Sequence, residues 1–195
     1  MAEASTVLDV PTQSGQSRCI VHRKVLASER LDDWWQWVGT EGGGWRQNEI
    51  RVFGKMHLEP RLTAWWGPAY TYASIHWEAC PFPTRMLTLL QAVEGFANAS
   101  YNAVLLNGYR NGQDSMGWHR DNEPEMDVAS IASLSLGATR TFKIRHRGTK
   151  QVWDVELGHG DLLVMEHLQE DFEHSVPKRA RVNEPRLNFT FRRLV

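Results

Sequence analysis

The sequence predicts a mainly β fold with flanking helices, an α+β arrangement built on a sandwich or jelly roll. Three observations predict it. Beyond residue 99, short apolar runs alternate with turns at a spacing of roughly ten residues, and Gly108, Gly137, Gly148, Gly158 and Gly160 fall at those turns. Before that point, two segments carry helical rather than strand periodicity. With 195 residues, 42% of them apolar and 23% charged, the chain has the size and texture of one globular domain.

Residues 1–17 are small and polar, which predicts a flexible N-terminus. A helix is expected over 28–38: Ser28 can cap it, and Leu31, Trp34, Trp35 and Val38 share one face. Glu41 and the three glycines after it end that helix in a turn. Residues 50–53 alternate as a strand does, Gly54 stops them, and 70–72 is a second short β-prone run. Pro81 and Pro83 introduce a helix over 84–96 with Met86, Leu87, Leu90 and Val93 as its apolar stripe. Strands follow over 103–106, 131–136, 141–144, 152–157, 161–165 and 187–191. The expected organisation is one structural domain in three stretches: the flexible 1–17, a helical part at 18–98 and a β core at 99–195.

Composition excludes several classes. No apolar run approaches the ~20 residues of a membrane span, so no membrane partner is expected. The N-terminal residues lack the charged and apolar regions of a secretory signal. The two cysteines, Cys19 and Cys80, lie far apart and in no metal spacing, which suits a reducing, cytoplasmic setting. A net charge of −1 supplies no global attraction to a polyanion.

Chemistry concentrates in two places. On a strand or its end, His119 and Asp121 point the same way, and a returning strand can bring in His174. Two imidazoles and one carboxylate on one face of a metal suit non-haem Fe(II), with positions left for a cosubstrate and O2; a closed zinc site would want four protein ligands. Alone, the His-x-Asp tripeptide reads as chance, since eight histidines and 23 acids make it common. Further on, Arg186, Asn188, Thr190 and Arg192 alternate with Leu187, Phe189 and Phe191. Two arginines on one strand face invite a small dicarboxylate, since each guanidinium can grip a carboxylate through two bonds. The same pattern also describes a solvated edge strand.

Together, Asn107-x-Tyr109, His119-x-Asp121, the distant His174 and the run from Arg186 to Arg192 closely resemble the AlkB family, Fe(II)- and 2-oxoglutarate-dependent dioxygenases that remove alkyl groups from nucleobases. The resemblance covers residues 45–195. It implies a double-stranded β-helix (jelly roll) with an N-terminal nucleotide-recognition lid, which would make 18–98 the lid and 99–195 the catalytic core. It implies His119, Asp121 and His174 as iron ligands, completed by Arg192 as the catalytic set. Arg186 would bind the distal carboxylate of 2-oxoglutarate with help from Tyr109. Arg192 and Asn107 would lie by the end that chelates iron, and Asn188 would help hold the cosubstrate or the residues around it.

The upstream half resembles the branch of that family that repairs double-stranded DNA. By that likeness Phe53 is a wedge for the base stack, while Arg61, Tyr70 and Tyr72 belong to the lid. Tyr72 would stack on a flipped base with His119 on its other face. Extrusion is a physical requirement, because a target atom inside a duplex cannot reach the metal. Asn122 stands where relatives usually carry a second acid, and Glu123 would suit a cationic base. The implied activity is oxidative dealkylation of 1-methyladenine and 3-methylcytosine in alkylated DNA, releasing formaldehyde, succinate and CO2. Fe(II), 2-oxoglutarate and O2 are its cofactors, duplex DNA the expected partner, and a monomer the expected state. The alternatives are an RNA or tRNA demethylase with the same chemistry, and a binding module without turnover. Two basic runs can track phosphates: Arg140, Lys143, Arg145, Arg147 and Lys150, and then Lys178, Arg179 and Arg181. The acids Glu166, Glu170, Asp171 and Glu173 are candidates either to repel phosphate or to orient His174.

Overall fold

The computed structural model describes residues 4–12, 15–52, 54–72 and 75–195. Strands β1 (Ala4–Thr12) and β2 (Gly15–His22) lead into helix α1 (Leu31–Thr40) and a ribbon of β3 (Glu49–Val52) and β4 (Lys55–Leu58). Strand β5 (Leu62–Trp66), a second ribbon of β6 (Tyr70–Tyr72) and β7 (Ile75–Trp77), and helix α2 (Thr84–Ala97) follow. The chain continues through β8 (Ala103–Tyr109), β9 (Met116–His119), β10 (Met126–Gly137), β11 (Arg140–His146), β12 (Val152–Leu157), β13 (Leu162–Glu166), β14 (Phe172–Val176) and β15 (Arg186–Leu194).

Two antiparallel sheets face each other in the expected jelly-roll arrangement. The larger has the order β1-β2-β13-β10-β15-β8-β5, the smaller β12-β11-β14-β9. Period-two alternation divides the larger sheet between two cores. One set of its side chains, including Leu105, Ile131, Leu163 and Met165, meets Phe142, Ile144, Val155 and Phe172 of the smaller sheet. The other set, including Leu106, Leu134, Leu136, Phe189 and Phe191, packs under Trp34 and Val38 of α1 and Met86, Leu89 and Val93 of α2. β15 is therefore a central strand. Its alternating polar residues Arg186, Asn188, Thr190 and Arg192 are buried between the sheets, and the edge-strand alternative falls away.

Several expectations change. The N-terminal stretch read as flexible forms β1 and β2, and β2 pairs with β13 from Leu162↔His22 to Glu166↔Arg18. Cys19 and Val21 are buried at period two, and the hairpin covers an edge that β13 would otherwise leave unpaired. The polar residues between them conceal that alternation in the sequence. Helix α1 starts at Leu31 after Arg30, with no side-chain cap; Asp32 and Asp33 in its first turn complement the helix dipole instead. On α2 the inward residue is Leu89, while Leu87 is 42% exposed.

Trp34 ties α1 to the sheet. Its ring is 1% exposed and stands edge-on to Phe189 at 5.1 Å. Its Nε1 donates to Glu29 Oε2 at 2.7 Å. Trp34→Ala is expected to cost about 3–5 kcal/mol, the usual range for emptying such a site, read as a shift of the urea midpoint with an unchanged slope.

Candidate active site

β9 and β14 are neighbours in the smaller sheet, and His119 stands opposite His174 in register. That pairing brings two imidazoles separated by 54 residues of sequence to a centroid distance of 4.2 Å. The chain leaves β9 immediately after His119 and turns Asp121 back toward both rings. Asp121 Oδ1 lies 4.0 Å from His119 Nε2, and Oδ2 lies 3.9 Å from His174 Nε2. One ligand atom from each residue falls within 4.8 Å of the others.

The surroundings prepare these atoms for a cation. His119 Nδ1 is 2.9 Å from the Gly117 carbonyl. A carbonyl only accepts, so Nδ1 carries the proton and Nε2 keeps its lone pair toward Asp121. Arg192 Nη2 donates to Asp121 Oδ1 at 2.7 Å, and the Asp121 N–H donates to Gln169 Oε1 at 3.0 Å. Asp121 Oδ2 is buried without a hydrogen-bond partner. Such an orphan is costly unless something else meets it.

Electrostatics point the same way. Burial alone would raise the Asp121 carboxyl, but Arg192, His119 and His174 hold it at about 2. Burial lowers His119. Burial and then the neighbouring His119 push His174 down to about 3. Near neutral pH the trio is two neutral imidazoles and one carboxylate, the donor forms a divalent metal needs. The residues fit Fe(II) on this count: a mixed nitrogen and oxygen set, an unsatisfied carboxylate oxygen and no thiolate.

Deeper in the same cavity the chemistry becomes cationic. Leu105, Asn107, Tyr109, Ser133, Asn188 and Arg186 contribute to its walls. Arg186 on β15 is 1% exposed and stands opposite Tyr109 on β8, its guanidinium 5.2 Å from that ring's centroid. Its Nη2 donates to Ser135 Oγ at 2.8 Å, while Nε and Nη1 have no partner. Among the described residues no carboxylate pairs with it. Burial lowers this guanidinium to about 10. Asn188 Nδ2 is spent on Ser133 Oγ at 2.7 Å and the Leu134 carbonyl at 3.0 Å, and its Oδ1 accepts from Thr190 at 3.0 Å. Asn188 thus braces the wall and has no free donor for a ligand.

The remaining expected residues fall as follows. Asn107 lines the cavity, with its Oδ1 held by Arg61. Arg61, expected in a lid facing the base, is 3% exposed and paired with Glu59, so it presents no free cation. Tyr70 stacks on Trp65 at 5.0 Å, and its hydroxyl, like Glu123 Oε2, is buried without a hydrogen-bond partner. Burial raises the Glu123 carboxyl. Asn122 is exposed beside Asp121. Phe53 and the Tyr72 side chain lie outside the described residues.

The first basic run is largely spent. Arg140 is 1% exposed and donates to the carbonyls of Asn111, Asp114 and Pro177. Lys143 pairs with Asp154, Arg145 with Glu173, and Arg147 bonds the Glu170 carbonyl. In the second run Arg179 pairs with Glu156. The acids expected to orient His174 do not reach it: Glu166 pairs with Arg18, Glu173 with Arg145, and His174 Nδ1 has no partner. Sequence reasoning missed Gln169, Ser133 and Ser135. The serines share the inward face of β10 with Ile131, so period two could have found them. No local signal marks Gln169, whose contact to Asp121 spans 48 positions.

The 2OG-Fe(II) oxygenase superfamily model matches residues 18–192. Human alpha-ketoglutarate-dependent dioxygenase alkB homolog 3 is 42% identical over 149 residues, 70% of this chain and 52% of that protein. Human DNA oxidative demethylase ALKBH2 is 36% identical over 159 residues, 75% of this chain and 61% of that protein. The chain spans about half the length of the first of these relatives. The solved structure of OsALKBH1 superposes with a TM-score of 0.67 at 18% identity, covering 90% of this chain and 97% of that one. At that identity the likeness concerns the fold alone.

Proposed function

The chain belongs to the 2OG-Fe(II) oxygenase superfamily, and from that premise we propose that it is an AlkB-type dioxygenase that removes alkyl groups from bases in DNA. The family's cofactors are Fe(II), 2-oxoglutarate and O2. The observation that carries the reading is the pairing, in one cavity, of the His119–Asp121–His174 donor set with the unpaired guanidinium of Arg186. A cation buried with two free N–H groups calls for an anion, and a dicarboxylate long enough to reach the metal donors satisfies both ends.

In this reading His119, Asp121 and His174 hold the iron. Bound there, Fe(II) supplies the dioxygen activation that couples decarboxylation of 2-oxoglutarate to oxidation of an N-alkyl carbon. Arg186 and Tyr109 fix the distal carboxylate, and Asn107 lies at the metal end. Arg192 keeps Asp121 ionised and aimed, which preserves the donor geometry. Glu123 and Tyr70, with unsatisfied polar atoms, receive the cationic ring of 1-methyladenine or 3-methylcytosine. The products are the restored base, formaldehyde, succinate and CO2. Phe53 acts as the wedge in duplex DNA and Tyr72 stacks on the extruded base. The enzyme works as a monomer in a reducing cytoplasm, where Cys19 and Cys80 stay free.

The test is a panel of methylated duplex DNA, single-stranded DNA and RNA offered to the Fe(II)-loaded protein, read by mass for loss of the alkyl group and by succinate release. Turnover of methylated DNA is expected. Release of neither product from any member of the panel sinks the proposal, and turnover of RNA alone changes the polymer. Phe53→Ala should lower duplex turnover about tenfold, the scale of a few kcal/mol of unstacking left partly uncompensated, with single strands nearly unaffected. Equal losses on both would remove the wedge.

A further inference from the structure

Between the β3–β4 ribbon and the cavity lies an ion pair that the reaction does not obviously need. Arg61 Nη2 meets Glu59 Oε1 at 2.8 Å, and the two side chains are 4% and 3% exposed. A pair buried this deeply is a weak source of stability, because desolvation offsets most of its attraction. Its neighbours suggest what it does. Arg61 Nε donates to Asn107 Oδ1 at 2.8 Å, in fully buried surroundings. The second Glu59 oxygen accepts from Asn48 Nδ2 at 2.8 Å, and that amide also reaches Thr63 Oγ1 at 2.8 Å. Glu59 is thus fixed from two sides, and it fixes Arg61.

Asn107 sits on β8, opposite Thr63 of β5, and lines the cavity with His119, Asp121 and Arg192. A carboxamide has one accepting end and one donating end, and the two are nearly isosteric. Nothing in its shape decides which end faces a ligand. Arg61 decides it, because a guanidinium only donates and therefore demands Oδ1. Nδ2 is then left for the cavity. With the amide reversed, its oxygen would face an incoming carboxylate, and its N–H would face a cation.

We propose that Arg61, braced by Glu59, is a positioning residue that locks the Asn107 amide with its N–H toward the cavity and so sets the affinity for a 2-oxo acid. This rests on the reading of the cavity as a 2-oxoglutarate site. It differs from a role for Arg61 in touching nucleic acid, which its burial and its two partners oppose.

The test is calorimetric binding of 2-oxoglutarate to the Mn(II)-loaded protein, which needs no turnover. Arg61→Gln should weaken binding about tenfold, the size of one misdirected hydrogen bond to a charged group. The double variant with Asn107→Ala should bind about as Asn107→Ala alone, because residues acting through one contact are not additive. Thermal melting checks the fold. If Arg61→Gln melts too low, Glu59→Gln with Arg61→Gln removes both charges together and should show the same loss. Unchanged 2-oxoglutarate affinity, or losses that simply add, overturns the proposal. So does a variant with normal 2-oxoglutarate binding but weakened binding of methylated oligonucleotide, which makes Arg61 a substrate contact. A wild type that binds no 2-oxoglutarate overturns the cosubstrate reading itself, and this proposal with it.

Discussion

Replacing Arg186 with methionine is expected to raise the melting temperature of the protein without cosubstrate while weakening 2-oxoglutarate binding by at least about 100-fold. The two effects share one cause. Arg186 is buried beside the Tyr109 ring, donates to Ser135 through Nη2, and leaves Nε and Nη1 without a hydrogen-bond partner. Burial already pulls its guanidinium down to about 10, because the surrounding protein solvates the charge poorly. A buried ion without its counter-ion is a net cost, and an apolar chain of similar length relieves it. The gain should be a few degrees, since about 1 kcal/mol moves a domain of this size by roughly 2–4 °C. The binding loss follows from two charge-assisted hydrogen bonds at about 1.5–3 kcal/mol each. Calorimetry with 2-oxoglutarate and melting without it check the pair of signs. A variant that is less stable and still saturates with 2-oxoglutarate at low concentration would assign Arg186 to the scaffold.

His174→Ala is expected to abolish metal retention and turnover while leaving the fold intact. It removes one of three donors, which should cost more than the about 10–100-fold typical of losing an outer partner. The fold should survive because the imidazole is neutral, has no partner at Nδ1, and contributes mainly by stacking on Phe142 at 5.2 Å. Fe(II) or Mn(II) titration reads the first effect and circular dichroism the second. Acid sensitivity gives a second signature. Burial and the neighbouring His119 hold His174 at about 3, against an ordinary value of about 6.5. Between those values the unfolded chain binds a proton that the native metal-free protein refuses. Native stability therefore falls as pH drops through that window. Without His174 this liability is gone, so the variant should lose less stability between pH 7 and about 4. Equal pH slopes in urea unfolding would show that His174 is not held neutral.

Much of the site is legible along the chain because its chemistry is carried by residue type at fixed spacing. His119 and Asp121 are two apart, and so are Arg186, Asn188, Thr190 and Arg192, which is the strand period. The β core and both helices announce themselves through the same periodicities. Of the two roles open to Asn188, the bracing one is decided only in three dimensions, because Ser133 Oγ and the Leu134 carbonyl take its donors. The basic run at Arg140–Lys150 reads as a phosphate track only until Asp154 and Glu173 are brought beside Lys143 and Arg145. The N-terminal hairpin is hidden because its strands pay off only against β13, far away in sequence.

What the sequence determined by itself is the inventory: a β-rich domain, a metal donor set, a strand with an apolar face and a cationic face. What only the tertiary structure decided is which charges are left over. Local patterns set where a side chain points. Whether it is neutralised depends on partners tens of residues away that loop closure and sheet register bring within about 3 Å, the reach of a hydrogen bond. Arg61 and Arg186 are the same residue type, both buried. Glu59 makes the first a brace, whereas among the described residues no acid pairs with the second, which leaves its guanidinium for an anionic ligand in the proposed reading.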